Sequence, residues 1–103
     1  MNHTIFASIK KKLNLKFLYK GKSLITISPW IYGKRIDFFE TGEESLLGFI
    51  SSRDFRDVAS IDYFPLSDIH DERIISGKFI EPSLNNYLGQ WSEIFISAVD
   101  NEN

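Results

Sequence analysis

The stretch Lys16 to Gly33, KFLYKGKSLITISPWIYG, decides the fold. Leu13, Leu15, Phe17 and Tyr19 alternate with Asn14, Lys16, Leu18 and Lys20, a period of two that marks a half-buried strand. Lys20-Gly21 suits a two-residue hairpin turn, since glycine accepts the positive φ such a turn needs. The returning strand, Lys22 to Ser28, sets Ile25 and Ile27 on one face and Leu24 and Thr26 on the other. Pro29 has no N–H for the ladder and is predicted to end regular pairing. Trp30, Ile31 and Tyr32 before Gly33-Lys34 then read as the corner of a second hairpin.

Upstream, Ile5, Phe6, Ile9 and Leu13 fit one face of a short helix over residues 4–12, with Thr4 as the N-cap. Lys10, Lys11 and Lys12 fall in its last turn, where they complement the helix dipole. Downstream, strands are expected at Arg35–Glu40, Leu46–Ile50, Val58–Phe64 and Arg73–Ile80, the last with a bulge at Gly77. The segment 51–57 reads as a charged loop, and 65–69 as a tight turn or one turn of helix. Beyond Pro82, Leu84, Tyr87, Leu88, Trp91, Ile94, Phe95 and Ala98 recur at steps of three and four, which predicts an amphipathic helix over 82–98.

A chain of 103 residues supports one domain with a single core. A hydrophobic fraction of 43% excludes disorder, and nine Phe, four Tyr and two Trp favour strands. The expected fold class is therefore mainly β with flanking helices: a small SH3-like barrel of five or six antiparallel strands over residues 13–80, a short N-terminal helix and an amphipathic C-terminal helix.

Without cysteine, disulfides, thiolate catalysis and Cys-based zinc sites are excluded. No apolar run could span a bilayer and residues 1–12 lack the pattern of a signal peptide, so no membrane association and a cytoplasmic location are expected. Glu43-Glu44 and Asp71-Glu72 read as solvated turn carboxylates. His3 and His70 are the only imidazoles, too few for a metal site, and none is expected. No serine lies in a nucleophile elbow and the six glycines are too scattered for a phosphate loop, so neither enzymatic activity nor a cofactor is expected. A catalytic carboxylate site would require Asp37, Asp62 or Asp68 to converge.

Charge is distributed unevenly. Residues 1–35 carry eight Lys or Arg and no acid, whereas residues 36–103 carry four basic and fourteen acidic residues. Either the halves pack together and neutralise, or a basic face awaits an anionic partner. Lys16, Lys20, Lys22, Lys34 and Arg35 lie on or beside strands bearing Phe17, Tyr19, Trp30 and Tyr32, the composition of a small-barrel nucleic-acid face unless those aromatics are core.

Leu15-Lys16-Phe17-Leu18-Tyr19-Lys20-Gly21-Lys22 after a short helix, then Ile27-Ser28-Pro29-Trp30-Ile31-Tyr32-Gly33, and finally Phe64-Pro65-Leu66-Ser67-Asp68-Ile69 resemble the WYL domain. That family has an apolar-x-Tyr-x-Gly strand, a proline after the second strand, a Trp-Tyr-Leu strand and a closing Phe-x-Leu-x-Arg-Ile segment. The resemblance covers roughly residues 5–80. It implies an SH3-like sensor barrel of bacterial regulators, binding a nucleotide or single-stranded nucleic acid in a basic, aromatic groove. A helix-turn-helix commonly precedes such domains and finds no room in this chain, so a stand-alone copy is expected. The sequence departs from the pattern at Arg35-Ile36-Asp37-Phe38-Phe39, which replaces Trp-Tyr-Leu, and at Asp62 and Asp68, which stand where arginines are expected. A carboxylate in a phosphate groove repels what a cation would hold.

The expected function is a non-enzymatic ligand- or nucleic-acid-binding regulatory module. Its expected ligand-binding residues are Lys16, Lys20, Lys22 and Arg35 as charge partners and Tyr32 as a stacking platform. The alternative is a protein–protein interaction module, dimerising or of the inhibitor and immunity type, acting through its acidic face or the aromatic C-terminal helix.

Overall fold

The computed structural model describes residues 1–36, 43–82 and 88–99. It contains helix α1 (His3–Lys10) and six strands: β1 (Asn14–Tyr19), β2 (Ser23–Arg35), β3 (Glu44–Arg53), β4 (Arg56–Pro65), β5 (Ile69–Ile75) and β6 (Trp91–Ser97). One 3₁₀ turn (Leu66–Asp68) joins β4 to β5 and another (Leu88–Gln90) leads into β6. The strands form one antiparallel sheet in the order β4-β3-β2-β1-β5, with β6 also paired to β2. The sheet is open: among the described residues no pairing joins β4 to β5, so the closed barrel expected from the sequence is not what this sheet forms.

The opening hairpin forms where the alternation predicts, with three residues, Lys20 to Lys22, between the paired Tyr19 and Ser23 rather than two. Lys20 and Gly21 both take left-handed φ (55° and 69°), and the Lys22 N–H donates to the Tyr19 carbonyl at 3.0 Å to close the turn. Leu15, Phe17, Ile25 and Ile27 are fully buried and face each other in register. The N-cap, however, is Asn2 rather than Thr4. Its side-chain oxygen accepts the Ile5 N–H at 2.9 Å, so the helix starts at His3 and ends at Lys10, earlier than the predicted 4–12. Lys12 ends the turn with φ 55°, and the Leu13 N–H reaches back to the Ser8 carbonyl.

Pro29 does not end the strand. β2 runs through it for thirteen residues, because Pro29 sits where its missing N–H is harmless: at a register shift against β3, between the end of β1 pairing and the start of β6 pairing. No second hairpin corner forms at Trp30–Tyr32. Opposite Pro29 stands Gly48, where a Cβ would meet Ile27 Cδ1 at 2.7 Å, so the absence of a side chain there is what lets the strands approach. The segment expected as a charged loop is also different: β3 and β4 extend to Arg53 and Arg56 around a tight turn at Asp54-Phe55.

The predicted helix over 82–98 is corrected by β6. Trp91–Ser97 is extended and pairs with Ile31–Arg35 of β2, an edge that β1 leaves free. Ile94, Phe95 and Ile96 are strong strand formers, and the backbone donors and acceptors of β2 reward an extended partner more than a helix would. The strand expected at Arg73–Ile80 shifts to Ile69–Ile75, and residues 78–80 instead cross the other face of the sheet. There Asn14 donates to the Lys78 carbonyl, Trp30 Nε1 to the Ile80 carbonyl, and the Ile80 N–H to Ser28 Oγ. The strand expected at Arg35–Glu40 lies beyond the described residues, apart from Arg35 and Ile36.

Two apolar clusters result. Ile5 and Ile9 of α1 join Leu15, Phe17, Ile25, Ile27, Tyr32, Leu46, Ile50, Phe64 and Ile69 in the main core. Phe64 of β4 meets Phe17 and Tyr19 of β1 edge-on, each at 5.2 Å between centroids, although two strands separate β4 from β1; the sheet therefore curves around this core. On the opposite face Trp30, Leu47, Trp91 and Val99 form a second cluster under Phe79 and Ile80.

Candidate functional site

Because Leu15 and Phe17 enter the core, Lys16 between them projects from the opposite face of β1. Its cross-strand partners are Arg73 on β5 and Thr26 on β2, and Thr26 in turn pairs with Ser52 on β3. Directly opposed residues share a face, so a row runs Arg73, Lys16, Thr26, Ser52 and then Asp57 on β4. The next row holds His70, Leu18 and Leu24. Two cations thus face each other across one strand pair, an arrangement that destabilises a sheet unless something negative lies between them. Neither Lys16 nor Arg73 forms an ion pair among the described residues. Asp57 closes the far end of the row.

The Asp54-Phe55 turn overhangs this face. The Asp54 N–H donates to the Leu24 carbonyl at 2.8 Å, and the Asp54 carboxylate accepts the Leu24 N–H at 2.9 Å, which ties the tip of the β3–β4 hairpin to β2. Phe55 is 84% exposed, and its ring centroid lies 5.8 Å from the Lys16 ammonium. Asp54 and Phe55 both take positive φ (50° and 69°). Glycine normally fills the second position of such a turn. Arg53 and Arg56 flank the turn as a second like-charged cross-strand pair, but Arg53 shares the register of buried Ile25 and so leaves from the core side.

The five expected ligand residues do not form one group. Lys16 stands on the face just described. Lys20 and Lys22 are exposed at the β1–β2 turn, with Lys20 Nζ 5.3 Å from the ring centroid of Tyr19. Arg35 ends β2, nine residues beyond Thr26 and about 30 Å away along the strand. Its guanidinium carbon stacks 3.5 Å from the Tyr63 ring centroid, beside a cavity of about 400 Å³ that it lines with Ile36, Gly89 and Gln90.

Tyr32 is no stacking platform. It is completely buried, packs edge-on against Phe95 with centroids 5.0 Å apart, accepts the Asn2 N–H at 2.7 Å and donates to Glu44 at 2.5 Å. Burial, reinforced by the bond to Glu44, pushes its hydroxyl up to about 12. The residue's role is to pin the start of α1 to the sheet.

The carboxylates considered for catalysis are placed apart in function. Asp37 lies outside the described residues; Asp62 is exposed on β4 opposite Gly48; Asp68 ends the 3₁₀ turn, where its carbonyl accepts the Lys20 N–H. Among the described residues no three His, Asp or Glu side chains are grouped to hold a metal ion, and no helix is long and apolar enough to cross a membrane. Comparison of the chain with family models, curated proteins and solved structures finds no match.

Proposed function

We propose that this chain is a non-enzymatic regulatory binding module, an SH3-like domain of the WYL kind, whose exposed face of β1 and β5 captures an anionic ligand, either a nucleotide or single-stranded nucleic acid. Lys16 opposite Arg73 carries this reading, because two adjacent cations without carboxylate partners among the described residues favour a bound phosphate. The five-strand order with a 3₁₀ turn between β4 and β5, and β5 returning beside β1, supports the SH3-like assignment. Lys20 and Lys22 at the neighbouring turn add to the local positive potential. Asp62 and Asp68, which argue against a phosphate groove near them, lie outside the row that holds Lys16 and Arg73.

The protein-interaction reading has less support. One free edge of the sheet is β4, and there Val58 and Ala59 together oppose Ser51, a bulge that blunts the edge, while Asp62 adds a charge to it.

Fluorescence anisotropy with a labelled oligothymidylate tests the proposal. Binding should weaken steeply with salt, log K falling by about 0.7 per phosphate contacted for each unit of log salt, and Lys16→Glu should abolish it. No binding at low salt refutes the proposal.

A further inference from the structure

Phe55 is a residue that folding alone does not favour. It places a large aromatic ring in solvent at a left-handed backbone position that bulky side chains rarely adopt. The ring contributes little to the core, as 84% of the residue remains exposed. The turn itself is held by Asp54, through two hydrogen bonds to Leu24, and needs nothing from its neighbour's side chain. Glycine would serve the fold better.

The Lys16 ammonium lies beside the ring, and Lys16 is paired with Arg73 in the adjacent strand. An aromatic ring beside Lys16, with Arg73 facing Lys16 across the strand pair and neither cation paired with a carboxylate among the described residues, offers stacking and charge on one face of the sheet. Thr26 and Ser52 supply hydroxyls further along the same row. We infer that Phe55 is the stacking platform of a subsite for one unpaired nucleotide: its base lies on the Phe55 ring and its phosphate sits between Lys16 and Arg73. The inference rests on the anion-binding reading above and adds to it the residue that recognises the base. Asp57 at the far end of the row sets the limit of the phosphate track, since a second phosphate there would meet a carboxylate.

The test compares wild type, Phe55→Gly and Phe55→Trp in anisotropy titrations with two probes, an oligothymidylate and an abasic oligodeoxynucleotide of the same length, alongside thermal unfolding of each protein. Phe55→Gly should weaken oligothymidylate binding about tenfold or more, as loss of one base–aromatic stack does. It should leave abasic binding within twofold and unfold no lower in temperature than wild type. Phe55→Trp should keep oligothymidylate binding. If wild type binds the oligothymidylate and Phe55→Gly binds it as well, the stacking role is overturned while the anion-binding reading stands; if wild type binds neither probe, that reading fails first. Unfolding of Phe55→Gly well below wild type would assign the ring to the fold and also overturn the inference.

Discussion

Replacing Gly33 with alanine tests the most consequential part of the fold, the pairing of β6 with β2. A methyl group at Gly33 would lie 3.0 Å from the Ile94 Cα and 3.1 Å from the Glu93 carbonyl carbon, and would overlap the Glu93 oxygen. All three atoms are backbone, so no rotamer change relieves the clash. Excess volume in a packed interior costs about 1–3 kcal/mol, and here relief requires β6 to lift from β2. The expected loss is therefore at the upper end, about 3 kcal/mol. At about 4–8 °C per kcal/mol for a domain of this size, the midpoint of thermal unfolding should fall by roughly 12–24 °C. Amides of Trp91–Ser97 should also exchange with solvent faster than those of β1 and β3. Gly89→Ala is the control, since a Cβ there meets nothing within 4 Å. Equal melting of the two variants would mean that Glu93 does not lie over Gly33, and the strand assignment for 91–97 would be wrong.

Two further outcomes follow from buried polar groups. The Tyr32 phenol titrates near 10 when unfolded and about 12 when folded, so the stability it confers is complete below pH 10 and is lost as pH rises toward 12. Denaturant titrations should show stability falling over that window by about 2–3 kcal/mol, and Tyr32→Phe should flatten the slope while costing about 1–2 kcal/mol at pH 7 through the lost bonds to Asn2 and Glu44. Ser28→Ala removes a hydroxyl that donates to Asn14 at 2.8 Å and accepts the Ile80 N–H at 2.9 Å. It should cost about 2 kcal/mol in chemical denaturation and speed amide exchange at Ile80.

The first hairpin was legible because all its information is local: the alternation from Leu15 to Tyr19, the Lys20-Gly21 turn and the apolar return at Ile25 and Ile27 specify one another. The strand beyond Pro29 was not, because whether a proline breaks a strand depends on what lies opposite it, and Gly48 is far away in sequence. In the C-terminal segment, Trp91, Ile94, Phe95 and Ala98 satisfy a helical period, while the extended form wins through hydrogen bonds to a β2 edge that no local pattern reveals. The site divides in the same way. Lys16 could be read from its neighbours Leu15 and Phe17, whereas Arg73 joins it only through the register of β5. Tyr32 moved from expected ligand contact to core because the register shift after Pro29 re-aims the side chains that follow. Phe55 was hidden among the charges of 51–57, and the signal was there: a lone aromatic at a turn position that favours glycine.

β2 takes β1 as its neighbour over its first half and β6 over its second, both along the same side. The first pairing is available as soon as the hairpin is made, but Ile31 must wait for Ser97. Assembly order is thereby built into one strand, with a fast local step at Lys20-Gly21 and a slow long-range step at Gly33. Until that second step, half of β2 presents bare donors and acceptors, and a nascent chain is most prone to pair with a neighbour during that interval.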